Sequence, residues 1–571
     1  MINGMTEQEF ILDPDTIDFV AVKNIFFEAF VNSHPQILMT NLMQGQYWLG
    51  YINQNDLPLL MEGLGNSFIS SIPRIMGLLD RPALEASGIV QVQGQPYLNL
   101  LGNGVLIGFL DTGIDYTQDS FIWEDGTSKI QFIYDQTTVG PPPDGFVLGV
   151  EYTNDQINQA LHSDSPYSIV PQKDTDGHGT FLASVAAGRK SGDFIGAAPE
   201  SELIVVKLRK ARQFYLEKQT IPPDQENAFS SSSVIVGIEY ILQKASQLNR
   251  PVVICISLGT DLGSHNGASL LEEYLRGVAI LRGVCICTAA GNECQTWRHM
   301  QNQLTKAEDW QNIDFKIPDP GGVGFNTYIN IWNTASDRFS VSIRSPTGEV
   351  VTRVPAKSGT QKSFPLLLEN SRVEVEYFFP ITVGGEQMTI VRFIKPTPGL
   401  WTITVYGDIV LDGTFHAWLP INGFAAPGIE FLSATPYCTV TIPSTMLGGI
   451  SCGAYDSQKN ILYSNSSWGP TRTPITAPDL TAPGVNVGGF YPHGYGTMSG
   501  TSVSAAITAG AAALLMQWGV VNKNEPAMST SQIRAYLLRG CDRSDSMSYP
   551  NVKWGYGSLN LMQTFNLMRE Q

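Results

Sequence analysis

The chain has 571 residues, of which 43% are hydrophobic and 15% are charged, with 35 basic and 52 acidic side chains. This length predicts two to four domains with ample core, in an ordinary globular composition. The formal net charge of −17 disfavours nucleic acids and membranes as partners, and its simplest consequence is solubility.

The amino terminus and the cysteines bear on the compartment. Residues 1–10 lack a basic segment followed by a continuous apolar one, so they do not resemble a secretory signal. The longest apolar stretch, about 502–521, carries a candidate nucleophile and is expected to be a buried helix rather than a membrane span. Seven cysteines without metal-ligand spacing indicate reduced thiols inside a cell. Cys285 and Cys287 alternate with apolar residues and are expected to pack in the core.

The first 90 residues are predicted to form a small α+β unit of their own. Residues 19–22 and 46–52 have the composition of strands, and residues 69–75 form a further apolar run. Residues 57–64 follow Asn55 and Asp56, which are typical helix-capping residues, and are predicted to be helical.

Two polar segments then follow predicted secondary structure closely. The apolar run 104–110 predicts a strand buried on both faces, and it ends in Asp111 of an Asp-Thr-Gly-Ile-Asp segment. This is the end of the strand where open α/β sheets place their sites. His178 lies between Gly177 and Gly179, which allow a close backbone approach, and it precedes a predicted helix over 180–188.

Two further buried strands end in segments of the same kind. The strand predicted over 252–256 leads into Ser257-Leu258-Gly259. The strand predicted over 284–288 leads into Ala289-Ala290-Gly291-Asn292-Glu293. Because both strands are expected in one parallel sheet, these segments should meet at the same sheet edge as Asp111.

The stretch from about 310 to 425 is predicted to be all-β. Five short runs rich in β-branched and aromatic residues cover 327–332, 339–343, 373–379, 388–394 and 401–406, separated by Pro- and Gly-containing turns. An inserted β-sandwich fits this pattern. The expected domains are therefore 1–90, 91–309, 310–425 as the insertion, and 426–571.

Ser502 completes a constellation known from serine hydrolases. It lies in Ser-Gly-Thr-Ser at 499–502 and begins a long apolar helical run. A serine hydroxyl becomes a good nucleophile when a histidine accepts its proton and a carboxylate orients that histidine. Alone, each segment could be a buried Asp, a turn Asn or a helix-capping Ser; together, in the order Asp, His, Ser, they indicate one catalytic site.

The segments that contain Asp111, His178, Asn292 and Ser502 resemble the subtilase family, with its parallel-sheet α/β catalytic domain. The resemblance implies a triad of Asp111, His178 and Ser502, with Asn292 and the Ser502 N–H as oxyanion donors. It implies a substrate-binding surface made of Ser257, Leu258, Gly259, Ala289, Ala290, Gly291 and Glu293. Glu293 is expected at a solvent-screened pocket rim, where it would modestly favour a basic residue before the scissile bond; bulk solvation of Glu293, with pocket shape deciding alone, is the alternative.

Other motifs resemble the Csp germination proteases of clostridia and their relatives over nearly the whole chain. They lie at 72–80, 83–89, 111–117 and 505–510. Secreted subtilases usually carry proline and histidine where this chain has Ala506 and Phe181, and neither departure touches the triad. The resemblance implies that residues 1–90 are an intramolecular chaperone prodomain, cut off between about residues 75 and 98, and that the insertion is a jelly roll with a packing role.

The expected function is therefore a serine endopeptidase that processes its own prodomain, with a spore cortex-lytic zymogen as a candidate substrate. The alternatives are a catalytically silent sensor or scaffold in a germination complex, and a carbohydrate-binding protein that uses the sandwich. Protein substrates and the prodomain are the expected partners. No cofactor is expected to be required, although a structural calcium ion is possible, and the expected location is a bacterial cell interior or spore.

Overall fold

The computed structural model describes residues 5–41, 46–78, 85–192, 194–319, 325–381 and 384–569. The amino-terminal unit, defined as residues 5–78, has a three-stranded antiparallel sheet in the order β1-β3-β2. Thr6 and Asn24 cap its first two helices through their side chains. Its elements are α1 Glu7–Leu12, β1 Thr16–Val22, α2 Ile25–Asn32, β2 Leu38–Asn41, β3 Tyr47–Asn53, α3 Leu57–Leu64, α4 Phe68–Ser71 and β4 Ile75–Leu78.

The first part of the central α/β domain follows. Its buried strands coincide with the apolar runs in the sequence, and Ser230 and Ser269 cap two of its helices. Its elements are α5 Ile89–Gln93, β5 Leu106–Asp111, β6 Ile130–Asp135, β7 Val150–Thr153, α6 Asn154–Leu161, α7 His178–Ala187, β8 Glu202–Lys207, α8 Gln213–Lys218, β9 Phe229–Ser230, α9 Ser231–Gln247, β10 Val252–Ile256, β11 Leu258–Gly259, α10 Leu270–Ala279 and β12 Val284–Ala289.

Two antiparallel sheets are then inserted and pack around an apolar core that includes Trp401 and Phe393. All five predicted strands are present. The insertion extends beyond the expected 310–425, because its first and last strands lie outside those bounds. Its strands are β13 His299–Gln303, β14 Trp310–Ile317, β15 Thr327–Asn333, β16 Arg338–Arg344, β17 Val350–Val354, β18 Gln361–Leu366, β19 Ser371–Phe378, β20 Gln387–Ile394, β21 Gly399–Ile409, β22 Thr414–Trp418 and β23 Glu430–Phe431.

The remaining residues return to the α/β domain. Helix α11 is buried along its whole length and packs against the central sheet. The stretch Thr501–Val521 is long and apolar enough to cross a membrane, but 89% of its most apolar window is buried in the protein. The elements are β24 Ile450–Asp456, β25 Ile461–Leu462, β26 Leu480–Pro483, β27 Val487–Tyr491, β28 Gly494–Met498, α11 Thr501–Met516, α12 Thr530–Gly540 and α13 Leu561–Arg569.

The central sheet determines where the candidate site residues lie. Its order is β25-β24-β12-β10-β5-β8-β6-β7, with β26 beside β24, and the pairs from β24 to β6 are parallel. Helices α7 and α11 cover one face, and α9 and α10 cover the other.

The seven cysteines are buried and free, and burial raises the pKa of the Cys255 thiol well above its usual value. Cys285 and Cys287 pack in the core as expected.

Candidate active site

Asp111 lies at the carboxyl end of β5 and is fully buried. Its Oδ2 accepts a hydrogen bond of 2.6 Å from the Ser257 hydroxyl, and its Oδ1 accepts one of 2.8 Å from the Thr112 N–H. Burial alone would raise the pKa of this carboxyl, but the charge and hydrogen bond of His178, with the bonds from Ser257 and Thr112, lower it below the ordinary value. Asp111 is therefore held as a carboxylate.

His178 is the first residue of α7, and its Nδ1 lies 2.8 and 2.9 Å from the two carboxylate oxygens of Asp111. Gly177 precedes the helix in a left-handed conformation, with φ of 93°. Gly179 must be glycine, because an added Cβ would lie 2.2 Å from the carbonyl oxygen of Gly113. The glycines around the histidine thus permit the close approach of α7 to β5.

Asp174 was not singled out in the sequence, although it orients this helix. Its Oδ1 accepts the Gly177 N–H at 2.8 Å. Its Oδ2 accepts the Thr180 N–H at 2.9 Å and the Thr180 hydroxyl at 2.6 Å. The same hydroxyl accepts the Asp115 N–H at 2.9 Å, so Asp174 links the loop after Asp111 to the start of α7. An Asp four residues before a helix-opening His was the signal available in the sequence.

Ser502 is the second residue of α11 and is fully buried. Its hydroxyl donates to the carbonyl oxygen of Ser257 at 3.3 Å. Ser257 therefore contacts both Asp111 and Ser502, and the structure brings these three residues together with His178. The sequence had indicated Ser257 only as part of a substrate-binding edge.

Asn292 lies beside the start of α11. Its Oδ1 accepts the Thr501 N–H at 3.1 Å and the Thr501 hydroxyl at 3.3 Å. Because the amide oxygen faces Thr501, the Nδ2 hydrogens face the other way. The Gly291 N–H donates to the Thr501 hydroxyl at 3.0 Å, and Gly291 itself has φ of 107°. This arrangement suits a donor to a developing oxyanion.

The segments predicted to bind substrate border the same edge. Leu258 and Gly259 form β11, which pairs antiparallel with Leu78 and Gly77 of the amino-terminal unit. The other segment, Ala289, Ala290 and Gly291, is buried at the end of β12. A short sheet in the order β11-β4-β9 therefore lies beside the candidate triad.

Glu293 differs from expectation, because only 3% of the residue is exposed. Its carboxylate accepts the backbone N–H of Asn422, between β22 and β23, at 3.3 Å. Burial raises the pKa of this carboxyl, although the nearby Arg298 opposes the shift. The expectation of a solvent-screened rim charge is wrong, as is the alternative of full solvation, so the predicted modest preference for a basic residue loses its physical basis.

The described ranges contain no side-chain cluster that could hold a metal ion. In them, no group of three or more His, Cys, Asp or Glu side chains is arranged for metal binding. Calcium sites built from main-chain carbonyls are of a different kind. The possible structural calcium ion therefore stays a prediction.

Comparisons with known proteins show the family to which the chain belongs. The subtilase family profile matches residues 102–319 and 433–557, on either side of most of the insertion. The minor extracellular protease Vpr of Bacillus subtilis is 22% identical over 490 residues, covering 81% of this chain and 52% of Vpr. Subtilisin-like protease SBT3.6 of Arabidopsis thaliana is 21% identical over 478 residues, covering 73% and 56%. The chain spans about half the length of these curated relatives.

A solved structure is more similar. The Clostridium perfringens CspB protease superposes with a TM-score of 0.74 at 32% identity, covering 85% of this chain and 98% of that one. The chain belongs to the subtilase family of serine proteases and is close to CspB.

Proposed function

We propose that the protein is a serine endopeptidase with Asp111, His178 and Ser502 as its triad. The observation that carries this proposal is the hydrogen bonding of His178 Nδ1 to a buried carboxylate, on the same sheet edge as the Ser502 hydroxyl. With its Nδ1 proton held by Asp111, the imidazole can accept a proton only at Nε2. Ser502 Oγ would transfer its proton there as it attacks the carbonyl carbon of the scissile bond.

Charge then develops on the carbonyl oxygen of the tetrahedral intermediate. The Asn292 amide and the Ser502 N–H, at the amino end of α11, would donate to that oxygen. His178 would next protonate the leaving amine. Water would then give a proton to His178 as it attacks the acyl carbonyl carbon, and Ser502 Oγ would leave and take that proton back. Asp111 would stabilise the imidazolium and keep its own charge throughout.

The amino-terminal unit is proposed to be a prodomain that the enzyme cuts off itself. Residues Ile75–Leu78 pair on one side with β11 and on the other with β9. This is how an extended peptide adds a strand at an exposed sheet edge. The pairing supports a tail bound in the manner of a substrate, which would also block access of other peptides.

The register of this pairing suggests where the cut falls. Leu78 lies opposite Leu258 and Gly77 lies opposite Gly259, so the tail runs toward Ser257, which contacts Ser502. We predict cleavage one residue beyond the paired segment, between Leu79 and Asp80. Residues 79–84 lie outside the described residues, and the predicted bond falls within the expected interval of 75–98.

A buried ion pair supports retention of the prodomain after cleavage. Arg212 Nε lies 2.9 Å from Asp18 Oδ1, and both side chains are less than 10% exposed. Asp18 also accepts the Ser232 hydroxyl, and Arg212 donates to the carbonyl oxygen of Ile11 at 2.8 Å. Opening this interface breaks the ion pair and its hydrogen bonds, and any partly opened state that removes one partner while the other stays buried leaves an uncompensated charge.

For the insertion we propose a jelly roll that holds the domain around the site rigid. Glu386, at the start of β20, forms an ion pair with Arg472 and accepts a hydrogen bond of 3.1 Å from Asn266. Asn330 donates to the carbonyl oxygen of Asp261 at 3.4 Å. The contacts with Asn266 and Asp261 join the insertion to the loop that follows β11, on which substrate binding would depend.

The substrate is proposed by similarity to the Csp proteases, as a spore cortex-lytic zymogen activated during germination. The silent scaffold remains the second candidate, because the tail strand in the cleft would suit a protein kept inactive. A fluorophosphonate probe tests the choice, since an activated Ser502 is labelled and Ser502→Ala is not. The Asp18→Asn variant should be used alongside wild type, because a bound tail would shield the serine. If neither wild type nor Asp18→Asn is labelled, the result would favour the silent scaffold.

A further inference from the structure

A cavity of about 290 Å³ lies where the amino-terminal unit, the α/β domain and the insertion meet. Its walls are mostly apolar, and each of the three parts contributes to them. The amino-terminal unit supplies Phe68 and Ile72, the α/β domain supplies Phe214 and Leu262, and the insertion supplies Met388 and Ile390. Protein interiors are normally close-packed, so unfilled space of this size between apolar walls has the character of a ligand site.

The ionisable residues of the cavity are mainly basic. Arg74, Lys218 and Arg392 line it, against the single carboxylate of Glu376, although the chain as a whole carries −17. Arg392 forms an ion pair of 2.9 Å with Glu376. Lys218 is exposed, and its ammonium has no hydrogen bond or ion pair within the described part of the chain. A ligand with one anionic group would therefore find an unpaired cation beside the apolar walls.

The cavity also borders the segment that leads into the tail strand. Ile72, Pro73 and Arg74 line it and directly precede β4. The Pro73 carbonyl accepts a hydrogen bond of 3.0 Å from Gln219, another lining residue, and the Arg74 N–H donates to the Ser231 hydroxyl at 3.0 Å. A molecule in the cavity would thus contact the residues that position the tail.

We propose that this cavity binds a small amphipathic monoanion, with its apolar body between the three parts and its anionic group at Lys218. Because all three parts form the walls, the ligand binds the assembled state more tightly than a state without the amino-terminal unit. By linkage, the ligand stabilises that assembly and slows release of the unit. The binding itself does not depend on catalysis; the regulatory consequence rests on the proposed function.

The binding test uses full-length Ser502→Ala protein and three probes of equal chain length: decanoate, decan-1-ol and decylamine. Calorimetry should show that decanoate binds about fivefold more tightly than decanol, with decylamine weakest, and decanoate should raise the unfolding temperature. Lys218→Glu should remove the preference for decanoate, whereas Lys190→Glu, at an exposed lysine outside the cavity, should keep it. Equal affinities for the three probes in the parent protein would overturn the proposal.

A second variant tests the location. Ile390→Trp should fill the cavity and abolish decanoate binding. If Ile390→Trp does not fold, Lys218→Glu still tests the site, because that substitution is at the surface and should retain the fold. Decanoate binding that survives Ile390→Trp in a folded protein would overturn the assignment. In cleaved wild-type protein, decanoate should slow separation of the amino-terminal fragment on a sizing column. If no cleavage occurs at all, the proposed function fails while the binding result stands.

Discussion

The Ser257 hydroxyl donates a hydrogen bond of 2.6 Å to Asp111 Oδ2. The carbonyl oxygen of the same serine accepts the Ser502 hydroxyl at 3.3 Å. One residue at the end of β10 thus contacts both ends of the proposed triad, and it also precedes the strand that binds the tail. Ser257 couples the orientation of the carboxylate to the edge that would bind substrate.

Ser257→Ala should lower kcat about tenfold with KM nearly unchanged, because a hydrogen bond to a charged group contributes about 1.5–3 kcal/mol. Steady-state kinetics with a peptide substrate measures this. Ser444→Ala is the matched control, since that buried hydroxyl bonds to Ser451 at 2.7 Å, outside the triad. An unchanged kcat in Ser257→Ala would show that the bond does not serve catalysis.

Asp174→Asn should also reduce kcat more than KM. An asparagine can accept through one oxygen only, so either Gly177 or Thr180 loses its partner and α7 shifts relative to Asp111. We expect a loss of about tenfold, from the cost of one unsatisfied buried donor. The unfolding temperature of the variant distinguishes the two explanations for lost activity: an unchanged temperature indicates that His178 is misplaced, and a lowered temperature indicates general destabilisation. Full activity in a normally folded variant would contradict a positioning role for Asp174.

Acid should destabilise the junction between the insertion and the α/β domain. Burial lowers the pKa of His265 to about 4 and of His416 to about 3, and both rings stack on Trp418. Burial, with the neighbouring histidines, also lowers the pKa of His299. These rings are neutral in the folded protein but protonated in the unfolded chain below about pH 6.5.

The histidines therefore leave stability unchanged above about pH 6.5 and reduce it as the pH falls toward 4. Each contributes a loss of about 1.4 kcal/mol per pH unit in that interval. Unfolding temperatures of Ser502→Ala at several pH values measure the loss. Adding His416→Gln should flatten the dependence, and an equally steep curve would contradict the assignment.

Asp18→Asn should release the amino-terminal fragment after cleavage. The variant leaves Arg212 buried without its carboxylate, which typically costs about 3–5 kcal/mol. Size-exclusion chromatography of the processed protein should then separate two species. Lys210→Ala, at the exposed pair with Glu226, should leave them together. Co-elution of the fragments in Asp18→Asn would show that other contacts decide retention.

The sequence predicted the strands of the α/β domain well, because strands buried on both faces are continuous apolar runs. It also placed the segments around Asp111, His178 and Ser502 at helix or strand ends, as the structure has them. Position along the chain could not reveal that the tail would pair with β11, because that contact joins residues about 180 positions apart. The burial of Glu293 could not be predicted for a related reason: Asn422, whose N–H donates to its carboxylate, lies 129 positions further along the chain, after most of the insertion.

Intact-mass spectrometry of purified wild-type and Ser502→Ala protein tests the central claim most directly. If Ser502 is the nucleophile of a self-processing protease, wild type gives two fragments that separate between Leu79 and Asp80, and Ser502→Ala gives one full-length mass. A full-length mass for both proteins would contradict self-processing. Two fragments from Ser502→Ala as well would contradict the role of Ser502.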